Sequence, residues 1–477
     1  MSCEASWLCA CQPLATTVHF SFKNRGFSKT TLSCRINDPA DATTRKDRPW
    51  YNPDRRRRSD QPEIIRHWIE ADNPPHSDSE ERFGVVSYNI LGDRNASKHR
   101  DLYSCVPSQY MKWDWRKRLI CEELIGLNPD IICLQEVDKY YDLLSIMEKE
   151  GYVGTHKRRT GGAVDGCAMF WKENTFRVLE EESIEFRVFG LRDNVAQLSV
   201  FEMSRADSRR LLIGNIHVLY NPSRGDIKLG QLQLLLLRAH ALSEKWGNVP
   251  IVLAGDFNST PQSAVYKFLS LSELNITLYD RRDLSGQRSN HSAQLFGVQG
   301  QISSPLILLD RFLKYFWTDE EVKIANGDSN HPVVEHPLKL NSSYATVKGS
   351  TRTRGSKGEP FATTYHSKFL GTVDYLWYSD GLVPTRVLDT PPIDILQKTG
   401  GLPCKKLGSD HLALVSEFAF TQSKRKDETN TRTVPATAAQ EFSLTQGKRE
   451  DETDTRTTTT VPATATPAIA EDSDSLL

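Results

Sequence analysis

The chain has 477 residues, of which 38% are hydrophobic and 25% are charged, a composition typical of a globular protein with a large buried core. Its 60 basic and 61 acidic residues nearly cancel, so a nucleic-acid partner would have to bind a local basic patch. No apolar run approaches the ~20 residues that cross a bilayer, so neither a membrane-spanning helix nor a membrane partner is predicted.

The N-terminal part of the chain precedes the first predicted strand. Residues 1–36 contain one acid, Glu4, which indicates either an organellar transit peptide or a disordered leader with no targeting function. Residues 37–82 are polar and are predicted to form a linker. Residues 83–420 are predicted to form the folded domain.

Strands and helices alternate through the first half of that domain. Buried strands are predicted at 83–91, 131–134, 211–218 and 249–253, with helices at 115–127 and 230–246. Residues 178–201 are predicted to be consecutive strands, and this mixture favours an α/β fold of packed sheets with helices outside. Cys121, Cys133 and Cys167 lie in apolar stretches and are predicted to be reduced core residues.

The second half of the domain contains a long irregular stretch. Residues 271–364 are predicted to be an insertion, partly helical at 306–316 and disordered near 349–358. After the domain, residues 421–477 are predicted to be a disordered Thr-rich tail, because they offer no apolar face to bury. This tail contains a duplicated segment, since 421–429 recurs with few changes at 445–453.

Acids, amides and histidines stand at or near the ends of the predicted strands. They are Asn89, Glu136, Asn215, His217, Asp256, Asn258, Asp374, Asp410 and His411. Buried carboxylates at strand ends are costly unless they are paired or bind a metal ion, and an oxygen-rich set suits Mg²⁺ or Mn²⁺ better than zinc. Each motif alone is weak, since Asp256 could cap a helix and Asp410 with His411 could be a surface pair. The ordered series predicts a metal site.

That series resembles the exonuclease–endonuclease–phosphatase superfamily over about residues 83–420. The matching motifs are Ser-Tyr-Asn89-Ile-Leu, Leu-Gln-Glu136-Val-Asp, Asn215-Ile-His217, Gly-Asp256-Phe-Asn258, Val-Asp374-Tyr and Ser-Asp410-His411. The resemblance implies a four-layer sandwich of two packed mixed β-sheets flanked by helices.

The resemblance also implies a role for each residue. Glu136, assisted by Asn89, would hold a catalytic Mg²⁺, with Mn²⁺ as the alternative ion, and Asp256 would orient or deprotonate the attacking water. Asn258 and His217 would hydrogen-bond the phosphate, and Asn215 is placed among the substrate contacts. His411 would face the opposite phosphate oxygen, or would bind a second ion together with Asp410. Asp374 or Asp410 would fix the position of the His411 ring.

Further motifs resemble the CCR4-type poly(A) deadenylases: the aromatic and basic run 110–118, the run 165–170 and Gly-Glu-Pro at 358–360. In those enzymes a proline and a phenylalanine sandwich the adenine, at places that correspond to Pro222 and Phe369. The resemblance implies a 3′-to-5′ exoribonuclease that shortens mRNA poly(A) tails, acts on single-stranded RNA and releases AMP. Each of the three motifs could instead serve core packing. Likewise, Pro222 could be a turn proline and Phe369 a core phenylalanine, with no contact to a base.

Other functions stay open within this resemblance. The nocturnin and Angel branches share the six motifs and act on NADP(H) or on 2′,3′-cyclic phosphates, and a non-catalytic RNA-binding scaffold is a third hypothesis. Deadenylase-complex subunits are implied as partners, but residues 1–82 contain no leucine-rich repeats of the kind that bind the CAF1 subunit. The resemblance implies that the protein is located in the cytoplasm and nucleus. The acid-poor leader indicates the chloroplast or mitochondrion as an alternative location.

Overall fold

The computed structural model describes residues 62–72, 81–204, 209–288 and 315–421. The leader, most of the linker, nearly all of the predicted helix at 306–316 and the tail after residue 421 lie outside the described residues.

The strands, in chain order, are β1 (Trp68–Glu70), β2 (Arg82–Asn89), β3 (Ile131–Gln135), β4 (Tyr152–Arg158), β5 (Gly166–Lys172), β6 (Phe176–Glu185), β7 (Val195–Met203), β8 (Arg210–His217), β9 (Ile251–Asp256), β10 (Glu273–Asn275), β11 (Val333–Glu335), β12 (Leu340–Ser342), β13 (Thr364–His366), β14 (Phe369–Gly371), β15 (Asp374–Ser379), β16 (Leu382–Leu388) and β17 (Leu414–Phe420). The α-helices are α1 (Asp93–Lys98), α2 (Ser108–Met111), α3 (Trp113–Leu127), α4 (Tyr140–Met147), α5 (Gly225–Lys245), α6 (Ala264–Leu271), α7 (Asp319–Asn326), α8 (Ser343–Thr346) and α9 (Ile393–Lys398).

Two large mixed sheets form the centre of the fold. Sheet one has seven strands in the order β1-β16-β17-β2-β3-β5-β4, and sheet two has six in the order β12-β15-β9-β8-β7-β6. Each contains one parallel pair, β2 with β3 and β8 with β9, among antiparallel neighbours. The predicted strands and helices of the first half are confirmed, including the consecutive strands β6 and β7.

The apolar side chains divide the fold into four layers. Val85 and Ile131 of sheet one pack in a shared core with Ile213 and Val252 of sheet two. The other face of sheet one packs against α3 and α4, and the other face of sheet two packs against α5 and α6. The predicted α/β sandwich of two packed sheets flanked by helices is therefore confirmed.

Two segments differ from their predictions. Residues 68–70 of the predicted linker form β1, which pairs with β16, because Ile69 packs against the inter-sheet core and Arg66 donates hydrogen bonds to Ala413 O and Asp389 O. Residues 349–358, predicted to be disordered, fold into turns around Arg354, which is 5% exposed, lies 2.9 Å from an Asp389 oxygen and stacks on Tyr344. An arginine buried by these contacts was not recognisable in a polar stretch.

The predicted insertion 271–364 also contributes to the domain. Its strand β12 forms one edge of sheet two by pairing with β15, and its helix α7 packs against the core beside α5. Among the described residues, no helix combines the length and apolarity needed to span a membrane.

Candidate active site

Two parallel strands of sheet one deliver the first pair of site residues. Asn89 at the end of β2 is in register with Gln135 of β3, and Glu136 follows at once with a φ of +59° that turns the chain. The Glu136 carboxylate accepts hydrogen bonds from Asn89 Nδ2 at 3.1 Å, Gly92 N at 3.1 Å and Asn95 Nδ2 at 2.8 Å. The carboxylate is therefore held rigidly at the edge of the sheet.

Sheet two delivers three residues side by side. His217 of β8 is in register with Asp256 of β9, and Asp256 is in register with Asp374 of β15. His217 Nε2 lies 3.5 Å from Asp256 Oδ2 and 3.1 Å from Asn258 Nδ2. Asn89 Nδ2 also donates to Asp256 Oδ2 at 3.1 Å, so one amide joins the acids of the two sheets.

Asp374 and His411 form a buried ion pair. His411 Nδ1 lies 2.8 Å from Asp374 Oδ2, and Nε2 lies 3.9 Å from Asp256 Oδ2. Burial lowers the pKa of the His411 imidazole, but the carboxylates of Asp374, Asp410 and Asp256 outweigh burial and raise that pKa well above its ordinary value. Burial raises the pKa of Asp374 to about 6, against the opposing charge of His411. His411 is therefore held by Asp374 through Nδ1, has a raised pKa, and presents Nε2 to Asp256.

Asp410 contacts a residue that the sequence patterns did not reveal. Its Oδ2 accepts a hydrogen bond of 2.8 Å from the Tyr103 hydroxyl, and Ser409 Oγ donates at 2.6 Å to the backbone oxygen of Asn89. The Ser409 bond attaches the 409–411 segment to the end of β2, and the Tyr103 bond attaches it to the 3₁₀ turn Arg100–Tyr103. Tyr103 lies in a polar stretch with no apolar period, so nothing in the sequence marked it.

Asn215 does not lie in the cleft, which corrects its predicted role as a substrate contact. It is fully buried between the sheets, where Nδ2 lies within hydrogen-bond distance of Leu134 O, Ala168 O and Gln197 Oε1, and Oδ1 accepts from Gln135. A buried amide with all its partners supplied by the protein is a structural residue. Asn215 stands two residues before His217, so both side chains point to the same face of β8. Asn215 is further from the strand end, where the two sheets cover it, whereas His217 at the end lines the cleft.

Lys228 on α5 is a second unpredicted residue next to the site. Its ammonium is fully buried and donates to Asn258 O at 2.5 Å and Gln287 Oε1 at 2.7 Å, while Gln287 Nε2 lies 3.3 Å from Asn258 Oδ1. Burial lowers the pKa of Lys228 to about 7. Lys228 and Gln287 thus fix Asn258, and because they are distant in sequence no spacing rule connects them.

The predicted residues surround one cleft of about 620 Å³. Glu136, His217, Asp256, Asn258, Asp410 and His411 line it. The half-buried side chains of Pro222 and Phe369 line the same cleft. Asn89 and Asp374 lie behind these residues and act on the cleft through Asp256, Glu136 and His411.

The acids of the cleft fit a divalent cation. Asp256 and Asp374 are 2% and 1% exposed, and the Asp374 Oδ1 atom is buried with no hydrogen-bond partner among the described residues. Asp256, Asp374 and His411 can bring ligand atoms within 4.8 Å of one another, but Asp374 and His411 are already bonded to each other. Glu136 remains the predicted holder of the ion, and Asn89 assists by donating from Nδ2 to both Glu136 and Asp256, which positions the two acids.

Comparisons with known proteins agree with this geometry. Residues 86–411 match the endonuclease/exonuclease/phosphatase family. Carbon catabolite repressor protein 4 homolog 3 of Arabidopsis thaliana is 59% identical over 82% of this chain and 88% of its own length. The CCR4-Not complex 3′-5′-exoribonuclease subunit Ccr4 of Mycosarcoma maydis is 26% identical over 76% of this chain and 54% of its own. A crystal structure of ANGEL2, a 2′,3′-cyclic phosphatase, in complex with adenosine-2′,3′-vanadate, superposes with a TM-score of 0.60 at 30% identity, covering 75% of this chain and 99% of that one.

Proposed function

This chain belongs to the endonuclease/exonuclease/phosphatase family, and from that premise we propose that it is a Mg²⁺-dependent 3′-to-5′ exoribonuclease that shortens poly(A) tails and releases AMP. The observation that carries this proposal is that Pro222 and Phe369 line the cleft that holds the phosphate-directed residues. A proline and an aromatic ring suit the faces of an unpaired base, and stacking contributes roughly 1–3 kcal/mol per base. Unpaired loops and ends are the RNA elements whose splayed bases can stack on such side chains, and a 3′ end is one of them.

The metal would be held by Glu136, assisted by Asn89, whose amide positions the Glu136 carboxylate. When bound there, Mg²⁺ would supply Lewis-acid polarisation of the scissile phosphate and offset the negative charge that builds up on its oxygens. The remaining steps belong to side chains of this chain.

Asp256 is the residue that orients the attacking water. Its Oδ1 accepts a hydrogen bond of 2.9 Å from the backbone N–H of Asn258. The other oxygen, Oδ2, faces His217 and His411. A carboxylate so held accepts the proton of a water molecule as that water attacks phosphorus. Asn258 and His217, adjacent at the same point, then bind a non-bridging phosphate oxygen.

His411 stabilises charge on the opposite side of the phosphate. The Asp374 carboxylate holds the ring by Nδ1, and Thr363 Oγ1 donates to the same Asp374 oxygen at 2.6 Å. The imidazolium therefore presents its Nε2 proton in a fixed direction, where charge develops in the transition state. Breakage of the bond to the leaving 3′ oxygen of the shortened RNA completes the step.

A second function is favoured by one observation. The ANGEL2 structure with adenosine-2′,3′-vanadate superposes on this chain, and that protein is a 2′,3′-cyclic phosphatase. The same cleft would then open a cyclic phosphate at an RNA end and leave the chain length unchanged. The two functions are separated by the products from one RNA.

The decisive experiment is product analysis on an RNA labelled at its 5′ end and carrying an oligo(A) 3′ tail. With Mg²⁺ we expect a ladder that shortens from the 3′ end together with release of AMP, and we expect none with EDTA or in Glu136→Ala. Glu173→Ala is the matched control, since Glu173 is an exposed glutamate in the turn between β5 and β6 and lies outside the cleft lining. This control should retain the wild-type ladder.

Three other outcomes contradict the proposal. Intact RNA together with opening of a 2′,3′-cyclic end identifies the cyclic phosphatase. Loss of phosphate from NADP⁺ alone identifies a dinucleotide phosphatase. Binding of RNA with no reaction on any of these substrates identifies a non-catalytic scaffold.

A further inference from the structure

Two loops from different sheets meet at the rim of the cleft. One joins β4 to β5 and the other joins β6 to β7; we define residues 158–165 and 186–194 as the paired loops. Thr160 N donates to Asp193 O at 3.1 Å, Thr160 Oγ1 donates to Asp193 Oδ1 at 2.7 Å, and Arg187 Nη1 donates to the same oxygen at 3.0 Å. The paired loops are thus one hydrogen-bonded unit.

This unit is continuous with the active site. Arg159 and Asn194 line the cleft, and Asn194 Nδ2 donates to the backbone oxygen of His217 at 2.9 Å. On the other side, Val137 N, next to Glu136, donates to Gly166 O at the end of the first loop. A chain that leaves the cleft on this side therefore passes over the paired loops.

The second loop presents an apolar tip to solvent. Val188 is 76% exposed and Phe189 is 58% exposed, within a 3₁₀ turn over Phe186–Phe189. The turn is anchored by Phe186, which is fully buried and whose backbone pairs with Asn194 O and Leu191 N. An aromatic ring held outward by a fixed turn is an available stacking surface.

The paired loops also carry four arginines. Arg158, Arg187 and Arg192 are exposed, and Arg159 stands at the cleft. Asp193 pairs with Arg187 and Asp165 with Arg159, whereas Arg158 and Arg192 form no ion pair with a carboxylate among the described residues. The paired loops are therefore a local basic patch on a chain whose total charge is close to zero.

We propose that the paired loops bind the body of a single-stranded RNA whose 3′ end occupies the cleft, with Phe189 stacking on one base and Arg158 and Arg192 contacting the phosphates. The inference rests on the proposed function and extends it from the terminal nucleotide to the upstream chain. An aromatic ring among arginines is the combination that tracks single strands without reading sequence. The enzyme should therefore prefer long tails to short oligonucleotides.

The test compares long and short oligoadenylates, of about twenty and about three nucleotides, because single-strand binding surfaces commonly span ~4–16 nucleotides. For Phe189→Ala we expect KM for the long RNA to rise by roughly 5- to 150-fold, the range that loss of one base stack produces, with kcat and the short substrate unaffected. For Arg158→Gln with Arg192→Gln, the salt dependence of long-RNA binding should weaken by about 0.7 in log–log slope per lost phosphate contact. Leu278→Ala and Arg352→Gln are matched controls, at side chains that are 69% and 72% exposed and outside both the cleft lining and the paired loops.

Equal changes for the two lengths, or none for the long RNA, overturn the inference. Binding of the long RNA measured in EDTA separates it from the proposed function. If the wild-type protein hydrolyses no RNA, the proposed function fails. Weaker binding of the long RNA by Phe189→Ala would then still support RNA binding by the paired loops. Unchanged binding in the variant, or no binding by the wild-type protein, would overturn that inference as well.

Discussion

The Asp374–His411 pair sets the pH range in which the imidazolium is available. Because His411 has a raised pKa in the folded protein, its charge is fully present below its ordinary pKa and is lost only as pH rises through the raised value. In Asp374→Asn the largest opposing charge disappears, so burial dominates and the pKa of His411 falls. We expect the alkaline limb of the kcat/KM profile to move down by about one pH unit or more, measured on oligo(A) RNA.

The control for this pair is Thr363→Val. Thr363 donates to Asp374 Oδ2, but its loss leaves the carboxylate charge in place. The variant should lower activity modestly and keep the alkaline limb near that of wild type. Coincident limbs in Asp374→Asn and wild type would show that His411 does not act as a cation.

Lys228 gives a stability prediction with a defined sign. Its pKa is lowered from 10.5 to about 7 by burial, so between these values the unfolded chain binds a proton that the folded protein does not. The destabilisation is fully present below pH 7, and stability rises with pH at up to about 1.4 kcal/mol per unit across that window. Chemical denaturation of wild type and Lys228→Met from pH 6 to 10 measures it; the variant lacks this rise, and a constant difference between the two would contradict the prediction.

At the scale of single residues, the sequence predicted the site residues but not the side chains that hold them in place. Glu136 and Asp256 were found because a carboxylate at the end of a buried strand needs a partner, and His411 because it stands just before the last buried strand. Lys228 and Gln287 are far apart in the chain, and Asn95 and Tyr103 lie in short irregular elements after β2; only the folded structure shows that these four side chains support the site. Asn215 was misassigned because strand alternation does not distinguish a cleft from an inter-sheet core when both faces are buried.

Helix α5 carries a glycine that packing requires. A Cβ on Gly230 would stand 2.3 Å from Ile324 O of α7 and 2.8 Å from Leu191 Cδ2. Although alanine normally favours a helix interior by roughly 0.5–1 kcal/mol, Gly230→Ala should destabilise by about 1–3 kcal/mol because backbone must move. Gly126→Ala in α3, where nothing lies within 4 Å, is the matched control and should stabilise. Equal midpoints of urea unfolding for the two variants would contradict the close approach of α5 and α7.

Helix α3 supports the active site through Arg116, which is fully buried. Its Nη1 donates to Ile90 O at 3.0 Å and Leu91 O at 2.6 Å, in the segment that leads from Asn89 to Gly92. Arg116→Met leaves these carbonyls unpaired, so we expect about 2–5 kcal/mol of destabilisation. The Mg²⁺ concentration for half-maximal activity should also rise several-fold, because Gly92 N helps to hold Glu136.

Arg118→Met on the exposed face of α3 is the comparison for Arg116. Arg118 is 51% exposed and pairs with Glu122 one turn away, so its loss should change stability by at most about 0.5 kcal/mol. Similar effects of the two arginines on stability and on Mg²⁺ dependence would contradict the supporting role of Arg116.

Elements with a strong apolar period were predictable, and short ones were not. Strands β3 and β9 are nearly continuous apolar runs, and β2 and β8 are mostly apolar and buried, which is the pattern of strands buried on both faces. Strand β1 has three residues and a polar context, and it forms only because β16 offers an unpaired edge. Residues 271–364 look like an insertion in the sequence because their short elements lack an apolar period. Their structure depends on tertiary contacts such as the pairing of β12 with β15.

On the scale of the whole molecule, the site exists because two sheets end at one place. Each sheet contributes the carboxyl end of a parallel pair, and the Asn89–Asp256 hydrogen bond connects the two. The order of the strands in each sheet could not be derived from local patterns, but the series of motifs was sufficient to indicate it by resemblance. Pro222, Phe369 and the paired loops lie beside this junction, and the proposed preference for single-stranded poly(A) would depend on them.

The described fold also predicts which parts of the chain catalysis needs. Its last strand, β17, lies between β16 and β2 and ends at Phe420, so deletion of 422–477 removes no described backbone hydrogen bond. We expect this deletion, and removal of residues 1–61, to leave kcat/KM on free RNA within about twofold of wild type. Extending the N-terminal deletion to residue 72 removes β1 and Arg66, and should destabilise by about 2–4 kcal/mol because Ala413 O and Asp389 O lose their donor. Turnover and thermal unfolding of the three truncated proteins measure this, and a large loss of turnover without 422–477 would assign the tail a direct part in catalysis.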